Sequence, residues 1–343
     1  MPSTPPPKKE KQPTQPKQPT YKDGYVFVDV SYLVFYRFFA LRKWFSFAHK
    51  DIKIEKDANW LSNELFMEKF AKTLLDTVLK ITKKQKINPV NILFAFDCHH
   101  KDIWRHKIKI EGMKETESNA YKGTRALSHE KQNFTEFEIF DIVKKTLIPA
   151  FVKIHNNKML DHKKAEADDC IALGIRYLRN EKKLDAPIWI VASDTDYLQI
   201  CDAKTHLIDL KQNNIDQKHL IDPKITNVDY LLHKLLVGDV ADNIPACHLE
   251  VDKLEELNTT YDVKIRKNKK HIYKITKSIA SKLLDNKTIK KHLLNFMKDK
   301  SDTDSNKEKL FFLNIKQFTF NQNMIDFSYI PKTIETHIYG MME

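Results

Sequence analysis

Glycine is scarce in this chain, with 6 residues among 343. They are Gly24, Gly112, Gly123, Gly174, Gly238 and Gly340. Neither GxxxxGKS/T nor GxGxxG can be formed at these positions, which excludes a P-loop or a dinucleotide-binding site of the usual kind. The 4 cysteines are equally scattered, which argues against a disulfide framework or a zinc ribbon and indicates a reducing compartment.

Long apolar runs are also absent. No stretch approaches the roughly 18 apolar residues that a membrane span needs, and residues 1–20 lack the apolar centre of a secretory signal. We therefore expect a cytoplasmic protein without a membrane partner. Seven of the 13 prolines fall within residues 1–20, among lysine, glutamine and threonine, which predicts a disordered tail.

Positive charge exceeds negative charge. Lysine and arginine number 58 and aspartate and glutamate 46, which gives a formal net charge of +12. This excess favours a polyanionic partner such as nucleic acid, because each lysine or arginine that neutralises a phosphate releases condensed counterions. A lysine-rich solvated surface without a partner would have the same composition, so charge alone does not decide the function.

Strand and helix patterns alternate over the first two hundred residues after the tail. Apolar runs predict strands at 25–30, 89–96, 150–154, 187–192 and 206–210. Helical spacing predicts helices at 61–81, 134–147 and 165–178. Strands joined by helices of this length indicate an α/β fold, with a central, mostly parallel sheet flanked by helices. From about residue 246 onward the pattern predicts a helical, lysine-rich C-terminal lobe.

Acidic side chains follow the predicted strands where each strand ends. Asp29 ends the first strand, Asp97 follows the second, and Asp194 follows the strand at 187–192. The carboxyl ends of parallel strands share one edge of a sheet, so we expect these acids to converge there. The nine candidates are Asp29, Asp97, Glu166, Asp168, Asp169, Asp194, Asp196, Asp239 and Asp242.

Nine carboxylates at one edge would repel each other unless divalent cations neutralise them. Sites made of oxygen ligands alone select Mg²⁺ or Mn²⁺. Two such ions about 4 Å apart activate a water and stabilise the leaving oxygen of a phosphodiester. Each acid taken singly has an ordinary alternative, because aspartate commonly caps helix N-termini. The joint pattern favours a two-metal site.

Six motifs occur in the order found in the 5′-nuclease (flap endonuclease) superfamily. They are Phe27-Val-Asp29, Phe94-Ala-Phe-Asp97, Tyr121-Lys-Gly-Thr-Arg125, Ala165-Glu-Ala-Asp-Asp169, Ser193-Asp-Thr-Asp196 and Gly238-Asp-Val-Ala-Asp-Asn-Ile-Pro245. The chain resembles this superfamily, which includes the nuclease domain of bacterial DNA polymerase I. It is most similar to the branch that contains the RNase H of T-even phages.

The resemblance implies a role for each acid. The implied ligands of the first Mg²⁺ are Asp29, Asp97, Glu166 and Asp168. Those of the second are Asp194, Asp196 and Asp239, with Asp168 as a bridge, and Mn²⁺ is expected to substitute. Asp169 and Asp242 would complete the metal site through water.

The resemblance also implies the substrate contacts. Lys122 and Arg105 would clamp the scissile phosphate, where developing charge needs a cation. Tyr121 would stack on a base, and Arg125 in the same motif would bind substrate. For Arg37, contact with a 5′ phosphate and a surface salt bridge are equal alternatives.

By this resemblance the fold is PIN-like, with a disordered tail at 1–20, a catalytic domain at 21–245 and a DNA-binding lobe at 246–343. Residues 105–127 would form an arch or clamp region. The lobe lacks the glycine-rich helix–hairpin–helix of many relatives, and the basic run at 264–273 either replaces it or is a solvated charge run.

The implied activity is that of an Mg²⁺-dependent 5′-3′ exonuclease and flap endonuclease with RNase H-type activity. It would remove RNA primers and DNA flaps during replication, in the host cytoplasm if the source is a phage. Implied partners are DNA and RNA/DNA hybrids with a 5′ end or flap, and a single-stranded-DNA-binding protein; we expect a monomer. The alternatives are a PIN-type ribonuclease and a catalytically inactive DNA-binding scaffold.

Overall fold

The structure is a computed structural model that describes residues 22–49, 59–109, 120–123, 135–220, 225–265, 273–298 and 307–343. Several expectations fall on residues outside these ranges. They are the tail at 1–20, Arg125, most of the arch at 105–127 and most of the basic run at 264–273.

Five strands form the centre of the described chain. They are β1 Tyr25–Asp29, β2 Ile92–Ala95, β3 Lys158–Leu160, β4 Ile188–Val191 and β5 Thr205–Ile208. Their order is β3-β2-β1-β4-β5, and every neighbouring pair is parallel. The predicted α/β class with a parallel sheet is confirmed.

Helices make the crossovers and cover both faces of the sheet. The helices are α1 Val30–Ala48, α2 Glu64–Thr73, α3 Asp76–Gln85, α4 Glu138–Ile142, α5 Ile148–His155, α6 Ala167–Asn180, α7 Ile215–His219, α8 Asn227–Val237, α9 Leu254–Tyr261, α10 Lys277–Asp285, α11 Lys287–Lys298, α12 Ile315–Ile325 and α13 Lys332–Met342. Short 3₁₀ turns occur between them. No helix among the described residues is long and apolar enough to cross a bilayer.

The central strand β1 separates two hydrophobic clusters. Phe27 lies in the cluster that α6 and α13 cover, whereas Val26 and Val28 lie in the cluster that α1 to α5 cover. Alternate side chains of a strand point to opposite faces, so one buried strand supplies both cores. All three side chains are fully buried. The crossover helices are thereby fixed on their two sides of the sheet.

A third cluster lies among α8 to α12 and includes Ile103 and Tyr121 from the segment that precedes them. The last helix, α13, leaves this cluster and packs on α6 through Ile334 and Ile338. The chain therefore returns to the sheet layers at its C-terminal end. The domain division at 245/246 stays a prediction.

The predicted strand at 150–154 is wrong, because these residues belong to α5. Helix α4 continues through a π-helical turn, Val143–Leu147, into α5, which carries Pro149 in its first turn. Proline lacks an N–H and its ring clashes with the carbonyl four residues earlier, and a π turn relieves both conflicts. The helix ends at Asn156, which has φ of 55°, and the third strand follows as β3.

The single helix predicted at 61–81 is divided into α2 and α3. The Thr73 hydroxyl donates to the Lys69 carbonyl at 2.7 Å, a bond within the helix that favours bending. The apolar spacing still holds across the break. Phe66, Phe70 and Val78 are fully buried.

Gly174 sets the approach of α6 to β1. A Cβ at this position would lie 2.6 Å from Cε1 of the fully buried Phe27. We expect Gly174→Ala to destabilise the protein by about 1–3 kcal/mol, because overpacking outweighs the gain in helix propensity. Urea unfolding measures the difference.

Gly340 is the matched control, since it also lies in a helix, α13. A Cβ there would meet nothing within 4 Å. Gly340→Ala should therefore stabilise the protein by up to about 1 kcal/mol. Equal effects of the two substitutions would contradict this description of the α6–β1 contact.

Candidate nuclease site

Asp29 and Asp97 occupy neighbouring strand ends. Asp29 ends β1, pairs in register with Ala95 of β2, and caps α1 by accepting the Tyr32 N–H at 3.0 Å. Its other oxygen accepts the Tyr197 hydroxyl at 3.1 Å. The parallel register brings Asp97, two residues beyond β2, to the same edge.

Asp97 lies over the start of α6. Its Oδ1 accepts the Ala167 N–H at 2.8 Å, and the Ser31 hydroxyl donates to Oδ2. Burial, and then repulsion from Asp97, raises the pKa of Asp29 to about 7. Their mutual repulsion disfavours ionisation of both carboxylates at once, and a bound cation would relieve this repulsion.

The N-terminus of α6 carries three further acids. Glu166 and Asp169 form a reciprocal capping box, in which the Glu166 N–H donates to Asp169 Oδ2 at 3.1 Å. One oxygen from each of Glu166, Asp168 and Asp169 lies within 4.8 Å of the others. Local capping chemistry thus places three carboxylates together at the sheet edge.

A buried arginine neutralises this cluster. The side chain of Arg105 is 3% exposed, and its guanidinium binds both oxygens of Asp169, at 2.8 and 3.0 Å. It also donates to Glu166 Oε2 at 3.0 Å, and the Trp104 indole donates to Asp169 Oδ2 at 2.8 Å. Burial opposes the charge, but the surrounding carboxylates outweigh it and raise the pKa of Arg105 well above its usual value.

Lys122 and Tyr121 complete the surroundings of Glu166. The Tyr121 hydroxyl donates to Glu166 Oε2 at 2.8 Å, and the Lys122 ammonium donates to Oε1. Lys122 Nζ also lies 3.6 Å from Asp242 Oδ2. Burial disfavours the Glu166 carboxylate, but Lys122 and Arg105 prevail and lower its pKa to about 2.

A second acidic group follows β4. Asp194 caps the 3₁₀ helix Thr195–Ile200 by accepting the Asp196 N–H at 2.9 Å. Lys234 of α8 forms ion pairs with Asp196 and with Asp239, the latter at 2.9 Å. Burial opposes ionisation of Asp239, but attraction to Lys234 dominates and lowers its pKa.

The donor set fits a hard divalent cation. All the acids offer oxygen ligands, which Mg²⁺ and Mn²⁺ prefer. Burial raises the pKa of Asp168 well above its usual value, and repulsion from Asp169 and Glu166 adds to this effect while Arg105 opposes it. Asp169, fully buried on Arg105 and Trp104, is placed to orient the cluster from behind.

Three residues proposed to contact substrate have protein partners or are buried in the structure. Arg105 is buried, and the Tyr121 ring is also buried, beside Ile103 in the third cluster. Arg37 donates to the Thr73 hydroxyl at 2.9 Å and lies 3.6 Å from Asp76, so it joins α1 to α2 and α3.

Sequence reasoning missed Tyr197, Lys234 and Ser31. Each binds one of the predicted acids: Tyr197 binds Asp29, Lys234 binds Asp196, and Ser31 binds Asp97. Lys234 lies near the end of α8 and Asp239 two residues beyond the helix, a separation of five residues that gives no helical signal. Tyr197, directly after Asp196, reads as an ordinary core aromatic.

Comparison with known proteins decides the family. Residues 24–225 match the family described as 5′-3′ exonuclease, N-terminal resolvase-like domain. The chain belongs to this nuclease family. The superfamily resemblance inferred from the six motifs is confirmed. Nuclease chemistry is therefore the activity class of the chain.

Two solved structures are similar to this chain at low identity. A bacteriophage T5 5′-exonuclease with bound zinc has a TM-score of 0.50 at 15% identity, and the match covers 93% of this chain and 98% of that one. A T5 flap endonuclease in a pseudo-enzyme–product complex with DNA and metal ions has a TM-score of 0.49 at 14% identity, with 93% and 97% covered. A search of curated proteins finds no significant match.

Asp168 and Asp169 are expected to differ in their response to the same change. Asp169→Asn breaks a buried bidentate ion pair and should cost about 3 kcal/mol of unfolding free energy in EDTA. Asp168 lies 4.0 Å from Arg105 and its side chain is 17% exposed, so Asp168→Asn breaks no short buried ion pair and should cost much less stability in EDTA. Urea unfolding of both variants measures this, and equal losses would contradict it.

The raised pKa of Asp29 predicts that the stability of the metal-free protein depends on pH. An unfolded aspartate ionises near pH 4, whereas the folded pKa is about 7, so ionisation above pH 4 disfavours the folded state. In EDTA, Asp29→Asn should match the parent protein below pH 4. Its stability relative to the parent should rise between about pH 4 and 7 and then level off. A difference that does not change with pH would rule this out.

Proposed function

We propose that this protein is an Mg²⁺-dependent 5′-3′ exonuclease and flap endonuclease that cleaves at 5′ ends and single-strand/duplex junctions. The observation that carries the proposal is the convergence of carboxylates from separate segments at one sheet edge, with Lys122 beside them. Membership of a 5′-3′ exonuclease family gives the reaction class. The oxygen donor set supports Mg²⁺, with Mn²⁺ as a substitute.

The residues divide into ligands and groups that act on the substrate. Divalent ions, when bound, lower the pKa of water and stabilise charge on phosphate oxygens. The proposed ligands are Asp29, Asp97, Glu166 and Asp168 for one ion, and Asp194, Asp196 and Asp239 for the other. Asp169 and Asp242 are proposed as outer partners.

Lys122 is the proposed catalytic cation. Its ammonium binds Glu166 and lies 3.6 Å from Asp242, and its side chain is 12% exposed, compared with 3% for Arg105. A scissile phosphate there would compete for it and gain charge stabilisation in the transition state. Arg105, buried and bonded to Asp169, is proposed to position the acids instead of contacting phosphate.

The proposed substrates are DNA flaps and RNA/DNA hybrids with a 5′ end, as in primer removal during replication. The relative described as a flap endonuclease was solved with DNA and metal ions, which supports a DNA substrate. The net charge of +12 suits a polyanion. We further propose a cytoplasmic monomer that works beside a single-stranded-DNA-binding protein.

Cleavage of a 5′-labelled flap duplex tests this function. We expect short labelled products with Mg²⁺ and none with EDTA. Asp168→Asn should abolish cleavage and spare binding, whereas Asp285→Asn, at an exposed position at the end of α10, should cleave as the parent does. Binding without cleavage would indicate a scaffold, and cleavage of single-stranded RNA alone would indicate a PIN-type ribonuclease.

Lys122→Ala separates catalysis from binding. If the ammonium stabilises the transition state, kcat should fall by roughly 10²–10³, with little change in the dissociation constant for flap DNA. Single-turnover cleavage and a binding titration in Ca²⁺ measure the two quantities. Loss of affinity at unchanged kcat would assign Lys122 to substrate binding.

A further inference from the structure

One short segment of the C-terminal lobe contacts residues of the candidate site. This return segment, Met324–Phe327, joins the end of α12 to the 3₁₀ turn that precedes α13. All four of its residues are buried, with exposed fractions of 3–8%. Its backbone carbonyls therefore need hydrogen-bond partners from the protein.

Three side chains from the sheet side supply those partners. Arg105 Nε donates to the Met324 carbonyl at 2.8 Å, Gln199 Nε2 to the Ile325 carbonyl at 3.0 Å, and Arg176 Nη2 to the Phe327 carbonyl at 2.7 Å. The first two carbonyls belong to the last turn of α12, where a helix leaves its carbonyls unpaired.

The contact with Arg105 joins groups of opposite charge. The C-terminal end of a helix carries partial negative charge, and here it faces a buried guanidinium. The same guanidinium holds Asp169 and Glu166 through its other nitrogens. The return segment thus holds Nε of the arginine whose other nitrogens orient the acids at the N-terminus of α6.

The contact with Gln199 reaches the second acidic group. Its carboxamide forms two hydrogen bonds with the segment, because Oε1 also accepts the Phe327 N–H at 3.0 Å. Gln199 lies on the 3₁₀ helix Thr195–Ile200, which carries Asp196 and Tyr197. The Phe327 ring lies 6.4 Å, centre to centre, from the ring of Tyr197, whose hydroxyl donates to Asp29.

We propose that the return segment is a positioning element of the candidate nuclease site. Through its hydrogen bonds with Arg105 and Gln199 it orients the acids at the N-terminus of α6 and those that follow β4. The inference rests on the proposed function. None of the segment's residues need touch substrate. Partners of this kind, which orient the groups that bind a metal, typically change metal affinity or activity by 10–100-fold when removed.

Gln199 variants test the proposal, because Gln199 is not among the proposed ligands. Gln199→Ala and the similarly sized Gln199→Met both remove the two hydrogen bonds. We expect kcat for flap cleavage to fall about tenfold with KM changed less than about twofold, and Mn²⁺ affinity without DNA to fall several-fold. Electron paramagnetic resonance of free Mn²⁺ measures that affinity.

Gln322→Ala is the matched control. Gln322 is a buried glutamine two residues before the return segment, and its side chain donates to the Met297 carbonyl within the lobe at 3.3 Å. It should lower thermal stability while leaving kcat and Mn²⁺ affinity within about twofold of the parent protein.

Two outcomes would overturn the positioning role. One is parental kcat and Mn²⁺ affinity in both Gln199 variants, and the other is equal losses in Gln322→Ala. A parent protein that cleaves no flap substrate would overturn the proposed function instead. The Mn²⁺ affinities of the variants would then still decide the positioning inference.

Discussion

One buried guanidinium, that of Arg105, makes the acidic edge of this protein possible. Glu166, Asp168 and Asp169 crowd the N-terminus of α6, where repulsion and loss of hydration would oppose folding. Arg105 binds two of them, and Lys122 adds a second positive charge on Glu166. The fold can therefore present a carboxylate cluster and still be stable before any cation binds.

A basic side chain also neutralises the second acidic group, the one that follows β4. Lys234 is paired with Asp196 and Asp239, as Arg105 is with the first group. The two cations differ in exposure, because the side chain of Arg105 is 3% exposed and that of Lys234 is 12% exposed. We therefore expect a bound metal ion or phosphate to affect the ion pairs of Lys234 more than those of Arg105.

Much of this could be predicted from sequence, since it depends on local patterns. Buried strands such as β1 and β4 are short apolar runs, and a parallel sheet brings the acids at or just after their ends, Asp29 and Asp194, to one edge. The rest depends on distant contacts. Residues 150–154 have a strand-like composition, but packing continues a helix through them, and no spacing links Arg105 to Met324, 219 positions away.

Anomalous diffraction from crystals grown with Mn²⁺ tests the central claim most directly. We expect anomalous peaks at the carboxyl edge of the sheet, one bordered by Asp29, Asp97 and Asp168 and another by Asp194 and Asp239. Crystals of Asp168→Asn should lose or weaken the first peak. No anomalous peak at this edge at millimolar Mn²⁺, or peaks only on surface histidines, would contradict a divalent-metal nuclease site.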